Sequence, residues 1–338
     1  LRAHKPDLIM VSNTGYGHSG PWSNFGAMAS ALEPTHGTGA FMGYMEKGPA
    51  ARLSEGQVPN KMGNSYSDFM ATWTALGSLM AALLRRARTG QGQWIDLAMY
   101  QTGTTVIGAG LLDYAFNGRR TQRIGNRHPV WSPHGVYPCQ GYDQWVAIAV
   151  RNEEDWQAVC QGMGMPELRS DPRFADPIER RCHQEDLDDI IATWTSGKTS
   201  YQVMNDLQDA GAPAGAVLTA KQALTDPQYR NRGFFETVHN PPESDLRPKG
   251  YVGRGWKFSA SEAEIRGPAP RLGEANEYIL RDLLGIDQAK LTSLADDWTI
   301  GDLPEGGGAP GAVPLEEQVE LGWIVEHDPG YLAELPPV

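Results

Sequence analysis

The stretch GNSYSDFMATWTALGSLMAALLRRARTGQGQWIDLAMYQ, residues 63–101, decides how this chain is read. From Phe69 the apolar positions 69, 73, 76, 80 and 83 step by four and three, which predicts one buried face of an amphipathic helix. The helix ends in RRAR, basic residues that suit a C-terminus, where the last carbonyls carry partial negative charge. TGQGQ then reads as a Gly turn and WIDLAMY as a buried strand. One acidic residue, Asp68, stands at the head of the helix. Aspartate is among the best N-caps, because it accepts the free N–H groups of a first turn. The same setting favours the ionised carboxylate, which is the form a covalent nucleophile needs. The residues alone leave both roles open, and spacing favours the cap.

Upstream, residues 7–12 (DLIMVS) predict a strand that runs into the Gly-rich turn NTGYGHSGPW. Strand, helix and strand in this order predict an α/β chain with a parallel pair. A short helix is expected over 24–33 with Asn24 as cap, and mostly loop over 34–67. Downstream, 101–117 predict a second helix. Residues 118–134 (GRRTQRIGNRHPVWSPH) are basic, polar and proline-containing, as a linker between domains would be. GVYPCQGYDQWVAIAV then predicts a hairpin. EEDWQAVCQGMG, DLDDIIATWTSGKT and SYQVMNDLQDAG predict helices, and mixed α and β continue to about 260. PAPRLGEANEYILRDLLG predicts a returning helix. From 302 a Gly/Pro-rich linker leads to a tail that either docks as a helix or is disordered.

The chain has 338 residues, 40% of them hydrophobic, and a net charge of −12, enough for two ordinary domains. The acidic balance argues against nucleic acid as a partner. No apolar run is long enough to span a membrane, and LRAHKPDLIM lacks the apolar core of a signal peptide. Cys139, Cys160 and Cys182 lack CxxC spacing, so we expect reduced, structural cysteines in a cytoplasmic protein and no metal site. The chain opens on Leu1 and goes almost directly into a strand, so a fragment or partial reading frame is expected. Hydrolase, metalloprotease and P-loop motifs (GxSxG, HExxH, Walker A) are absent, and GYGHSG (15–20), taken alone, reads as a turn after a strand. His36 and His128 are each a loop residue or a general base. Arg119, Arg120, Arg123 and Arg127 form a basic run that is either solvated or turned to the phosphates of an anionic ligand.

In this order, VSNTGYGHSGPW, SYSDFMATWTALGSLMAALLRRARTGQGQWIDLAMYQ, GNRHPVWSPHGVYPCQGYDQWVAIAV and PAPRLGEANEYILRDLLG together resemble the class III CoA-transferases. That family includes formyl-CoA transferase, carnitine CoA-transferase and α-methylacyl-CoA racemase, and the resemblance covers about 5–300. It implies a Rossmann-like large domain, N-terminally incomplete, over 1–118 and 261–300. A linker over 119–134, a small α+β domain over 135–260 and a flexible linker and tail over 301–338 complete the expectation. It also implies that Asp68 is the nucleophile in CoA transfer from an acyl-CoA to a carboxylic acid. The coenzyme A moiety would meet Gly15, Tyr16 and Gly17 of GYGHSG and Asn126, Arg127 and His128 of GNRHP, with no metal.

Three departures qualify the resemblance. Formyl-CoA transferase carries a run of glycines where this chain has GNRHPVWSPHG. The racemases place a His shortly after the GP turn, where this chain has Phe25 and Gly26, which favours transfer over racemisation. The family's first half, on the order of 100 residues at about 30 per βαβ unit, does not precede VSNTG here. The family forms interlocked homodimers, so a homodimer is expected, or a partner that supplies the missing half. The alternatives are an acyl-CoA racemase or isomerase, and an inactive or partner-dependent fragment. Phe25, Trp73 and Trp131 are either core residues or contacts for an apolar or aromatic acid.

Overall fold

In the computed structural model the described residues are 1, 3–45, 57–63, 66–241, 248–303 and 311–335. Strand β1 (Met10–Thr14) starts later than DLIMVS suggests, because the Leu8 N–H turns back onto the Lys5 carbonyl. Helix α1 (Ala29–Thr35) begins five residues after Asn24, and Asn24 does not cap it: the N-cap is Met28, with no side-chain bond. The Phe25 N–H bonds instead to the Trp22 carbonyl, closing a turn where a helix start was expected. Within the stretch expected to be loop, β2 (Gly43–Met45) and β3 (Gln57–Pro59) form a short antiparallel pair.

Helix α2 (Tyr66–Thr89) is longer than the sequence suggests and turns a different face inward. Ser67, Ala71 and Ala82 are its buried residues. Phe69, Trp73, Leu76 and Met80, expected to face the core, are 63%, 55%, 45% and 54% exposed. The reason is steric: a face of Ser and Ala lets the helix backbone approach α1 and the strands closely, which the large side chains would prevent. β4 (Trp94–Ala98) follows and pairs with β1 in parallel, Ser12 opposite Asp96 and Thr14 opposite Ala98. The expected second helix is split into α3 (Met99–Thr104), a tight 3₁₀ turn (Thr105–Ile107) and α4 (Gly108–Asn117). At the break the Thr104 and Thr105 hydroxyls bond back to the Tyr100 and Thr102 carbonyls, the bonding that makes Thr a weak helix former.

The hairpin forms as β5 (His134–Pro138) and β6 (Trp145–Ala149), antiparallel. Its turn uses Gly141 and Asp143 at positive φ. Over it pack α5 (Glu153–Gly162), α6 (Pro177–Cys182), α7 (Gln184–Ser196) and α8 (Ser200–Asp209). Asn152 caps α5 by accepting the Asp155 N–H at 2.8 Å, and Thr199 with Gln202 closes a capping box on α8. β7 (Ala214–Val217) adds to β6. Val146, Ile148, Trp156, Phe174, Leu187 and Ile191 are fully buried between this sheet and its helices.

Packing divides the chain into Leu1–Val217 and Leu218–Val338. The boundary falls inside 135–260, and 261–300 lie in the second unit. That unit holds α9 (Ala220–Thr225), α10 (Pro227–Asn231) and the antiparallel strands β8 (Phe235–Val238) and β9 (Lys249–Val252). The expected returning helix shrinks to one π-helical turn, Tyr278–Leu283, and α11 (Gln288–Asp296) follows it. The tail carries two short helices, α12 (Leu315–Glu320) and α13 (Tyr331–Glu334), and Asp328 between them pairs with Lys221 at 2.9 Å. The Gly-rich residues 304–310 lie outside the described residues.

Candidate active site

A helix start needs acceptors for its first N–H groups. Asp68 is not the N-cap of α2: it lies in the first turn, two residues inside Tyr66. The first N–H, that of Tyr66, donates to Glu33 Oε1 at 3.0 Å. The Ser67 hydroxyl donates to the Ala29 carbonyl at 3.3 Å. Ala29 and Glu33 are one turn apart on α1, so one face of α1 holds the start of α2 at two points. Asp68 itself is exposed, and its carbonyl accepts from the Thr72 hydroxyl at 2.8 Å. Its carboxylate sits at the positive end of a 24-residue helix dipole.

Beneath this junction lie two buried polar side chains, Glu33 and His36, each 2% exposed. Glu33 Oε2 and both ring nitrogens of His36 have no hydrogen-bond partner among the described residues. Burial pulls the His36 pKa below its usual value, and the Glu33 carboxylate opposes that shift. The ring is therefore neutral at pH 7.

The Gly-rich turn comes to the same place. A Cβ built on Gly15 would stand 2.3 Å from Ala27 Cβ, so glycine is needed for the segment leading into α1 to come this close, and it would meet Leu32 Cδ2 of α1 at 3.7 Å, an ordinary contact. Gly17 has φ of 88°, and its N–H donates to Thr14 Oγ1 at 3.0 Å. The Tyr16 ring meets Trp22, Phe25 and Tyr100 at 5.5, 6.2 and 5.5 Å. Through Leu32 and Glu33, α1 joins the glycine turn to the start of the Asp68 helix.

Asn126, Arg127 and His128 gather elsewhere in this unit, beside the β5–β6–β7 sheet. Asn126 and Arg127, with His134, Gln208 and Gly215, line a cavity of about 550 Å³. Tyr44 donates to Asn126 Oδ1 at 3.4 Å. Arg127 pairs with Asp188 at 3.3 Å, and the Tyr137 hydroxyl donates to the same carboxylate at 2.8 Å. Burial raises the Asp188 pKa, with the bonds from Tyr137 and Arg127 opposing the shift. Arg123 donates to the Gly39 and Met42 carbonyls. The His128 ring accepts the Val130 and Trp131 N–H groups at 3.2 and 3.0 Å and stacks on Trp131. Its pKa is lowered by burial, by His134 and by Arg181, so a neutral ring braces the loop.

The model of CoA-transferase family III matches residues 1–276. The chain belongs to CoA-transferase family III. It is 33% identical over 295 residues to succinyl-CoA–D-citramalate CoA-transferase of Chloroflexus aurantiacus, covering 87% of this chain and 70% of that protein. It is 30% identical to succinyl-CoA:mesaconate CoA-transferase of Haloarcula marismortui, covering 88% and 72%. Among solved structures, a CaiB/BaiF family protein of Brucella suis superposes with a TM-score of 0.70 at 25% identity, covering 83% and 69%.

This CoA-transferase shows no group of His, Cys, Asp and Glu able to hold a metal ion among its described residues. No described helix is long and apolar enough to cross a membrane. Its three cysteines are free. The residue that sequence reasoning missed is Glu33. The available signal was an acidic residue in the apolar run ASALEPT, but its partner lies 33 positions on, beyond any local spacing rule.

Proposed function

We propose that this transferase moves CoA from an acyl-CoA thioester to a carboxylic acid through covalent intermediates on Asp68. One observation carries the reading: in a chain of this family, Asp68 is an exposed carboxylate at the dipole-positive start of the helix that ends in TGQGQ. The carboxylate attacks the thioester carbonyl, the C–S bond breaks, and a mixed anhydride and CoA thiolate result. The thiolate attacks the aspartyl carbonyl and releases the donor acid, leaving an aspartyl–CoA thioester. The acceptor carboxylate attacks that thioester, forming a second anhydride and thiolate. The thiolate takes the acceptor acyl group, and Asp68 is restored. The anhydride must be kept from water.

The names of the relatives support succinyl-CoA as donor and a dicarboxylic acid as acceptor. The GYGHSG turn at Gly15, Tyr16 and Gly17, Asn126 and Arg127 in the cavity lining, and His128 next to them in sequence, are the proposed contacts for acyl-CoA. We propose a homodimer, supported by the exposed apolar stripe of α2. The free cysteines support a reducing, cytoplasmic setting.

The test is intact-mass spectrometry after incubation with succinyl-CoA and hydroxylamine. Wild type is expected to show a modification that maps to Asp68. Asp68→Asn is expected to fold, to lose on the order of 10³-fold or more in transfer rate, and to show no adduct. Full activity of Asp68→Asn, or inversion at the α-carbon in deuterated water without an acceptor acid, would sink the reading.

A further inference from the structure

We propose that Glu33 is the positioning residue for Asp68: its buried carboxylate anchors the first N–H of α2 and thereby sets where the nucleophile stands. The inference rests on Asp68 being the nucleophile. A cap is normally a short side chain directly before its helix, and it works in water. Here the acceptor comes from another helix, 33 residues back, and is a carboxylate at 2% exposure. Burying a carboxylate is costly unless it is bonded. Glu33 spends one oxygen on the Tyr66 N–H, while its second oxygen has no partner among the described residues. A local cap would satisfy the N–H alone, whereas this carboxylate also ties two helices together. The bond fixes the distance between α1 and the first turn of α2, two residues from Asp68.

The surroundings leave Glu33 little freedom. Its own carbonyl accepts from the Thr38 hydroxyl at 3.0 Å. His36, one turn on, is wedged over Gly103. α1 also meets the glycine turn through Leu32 and Gly15. Movement of Glu33 would therefore shift Asp68 relative to the turn proposed to meet the acyl-CoA. Misplacing a reacting group by about 1 Å costs up to about 100-fold in rate.

The experiment compares steady-state transfer from succinyl-CoA by wild type, Glu33→Ala, Glu33→Gln and Asp68→Asn. Glu33→Ala is expected to lower kcat by about 10- to 100-fold with the KM for succinyl-CoA unchanged within about threefold. Glu33→Gln, whose amide oxygen accepts the same N–H, is expected to restore at least half of the wild-type kcat. Wild-type kcat in Glu33→Ala, or a Gln variant as slow as the Ala variant, overturns the inference. If Glu33→Ala does not fold, Tyr66→Pro deletes the bond from the donor's side, and proline suits the first position of a helix. Unchanged kcat in that variant overturns the inference, and a loss at constant KM supports it. Asp68→Asn keeps the two proposals apart: activity there removes the nucleophile assignment, whereas an inactive Asp68→Asn beside a normal Glu33→Ala removes only the positioning role.

Discussion

The His36 ring lies directly on Gly103: a Cβ built at Gly103 would stand 2.3 Å from His36 Cδ2 and 2.5 Å from Cγ. One methyl group therefore has no room unless the ring moves, and the ring is buried. Gly103→Ala is expected to destabilise the fold by about 1–3 kcal/mol, despite the better helix propensity of alanine. Combined with His36→Ala, the penalty should shrink, because the clashing ring is gone. A double-mutant cycle by denaturant unfolding measures the coupling. Additive costs would mean that α3 yields instead of the ring.

The same histidine makes stability depend on pH. Its proton is held less tightly in the folded chain than in the unfolded one, because burial disfavours the charged ring. As pH falls past the unfolded value of about 6.5, the unfolded chain takes up more protons and stability drops. The His36 contribution is thus present above that pH and is lost below it. His128 shifts in the same direction and adds to the slope. The melting temperature should fall between about pH 7.5 and 5.5, and His36→Leu should flatten the fall in part. An unchanged slope would show that His36 does not titrate with unfolding.

The outer face of α2 offers a test of assembly. Phe69, Leu76 and Met80 expose large apolar surface along one stripe. Paired Leu76→Gln and Met80→Gln substitutions touch none of the helix's buried positions, Ser67, Ala71 and Ala82. Sedimentation should find wild type as a dimer and the double variant shifted towards monomer, with the helical circular dichroism kept. A wild type that sediments as a monomer at tens of micromolar would remove the dimer proposal.

Much of the fold was legible locally. The parallel pairing of β1 with β4 and the β5–β6 hairpin follow from apolar runs bounded by Gly, Asn and Thr. The stripe on α2 was legible too, but not its direction. Periodicity shows that large residues share a face, not whether that face meets this chain. The small face of Ser67, Ala71 and Ala82 gave no hydrophobic signal, yet it is the one that packs. Residues 268–285 looked helical by composition but hold a single π-helical turn, with Gly273 and Gly285 at positive φ around it. At the candidate site, Asp68 stands out as a proposed nucleophile through its place in an ordered set of motifs. Glu33 does not, because what it does depends on a contact between two helices.

The Ser and Ala face of α2 gives the helix a mechanical character. Alanine has no rotamer to change and serine moves only one small hydroxyl, so contact along the face is nearly backbone against backbone. The helix behaves as a stiff rod on a fulcrum. Ala82 lies about 21 Å along the axis from Asp68 at 1.5 Å per residue, and it is completely buried. A methyl or two added there could not be absorbed locally. It would tilt the rod and move the far end, where Asp68, the proposed nucleophile, stands.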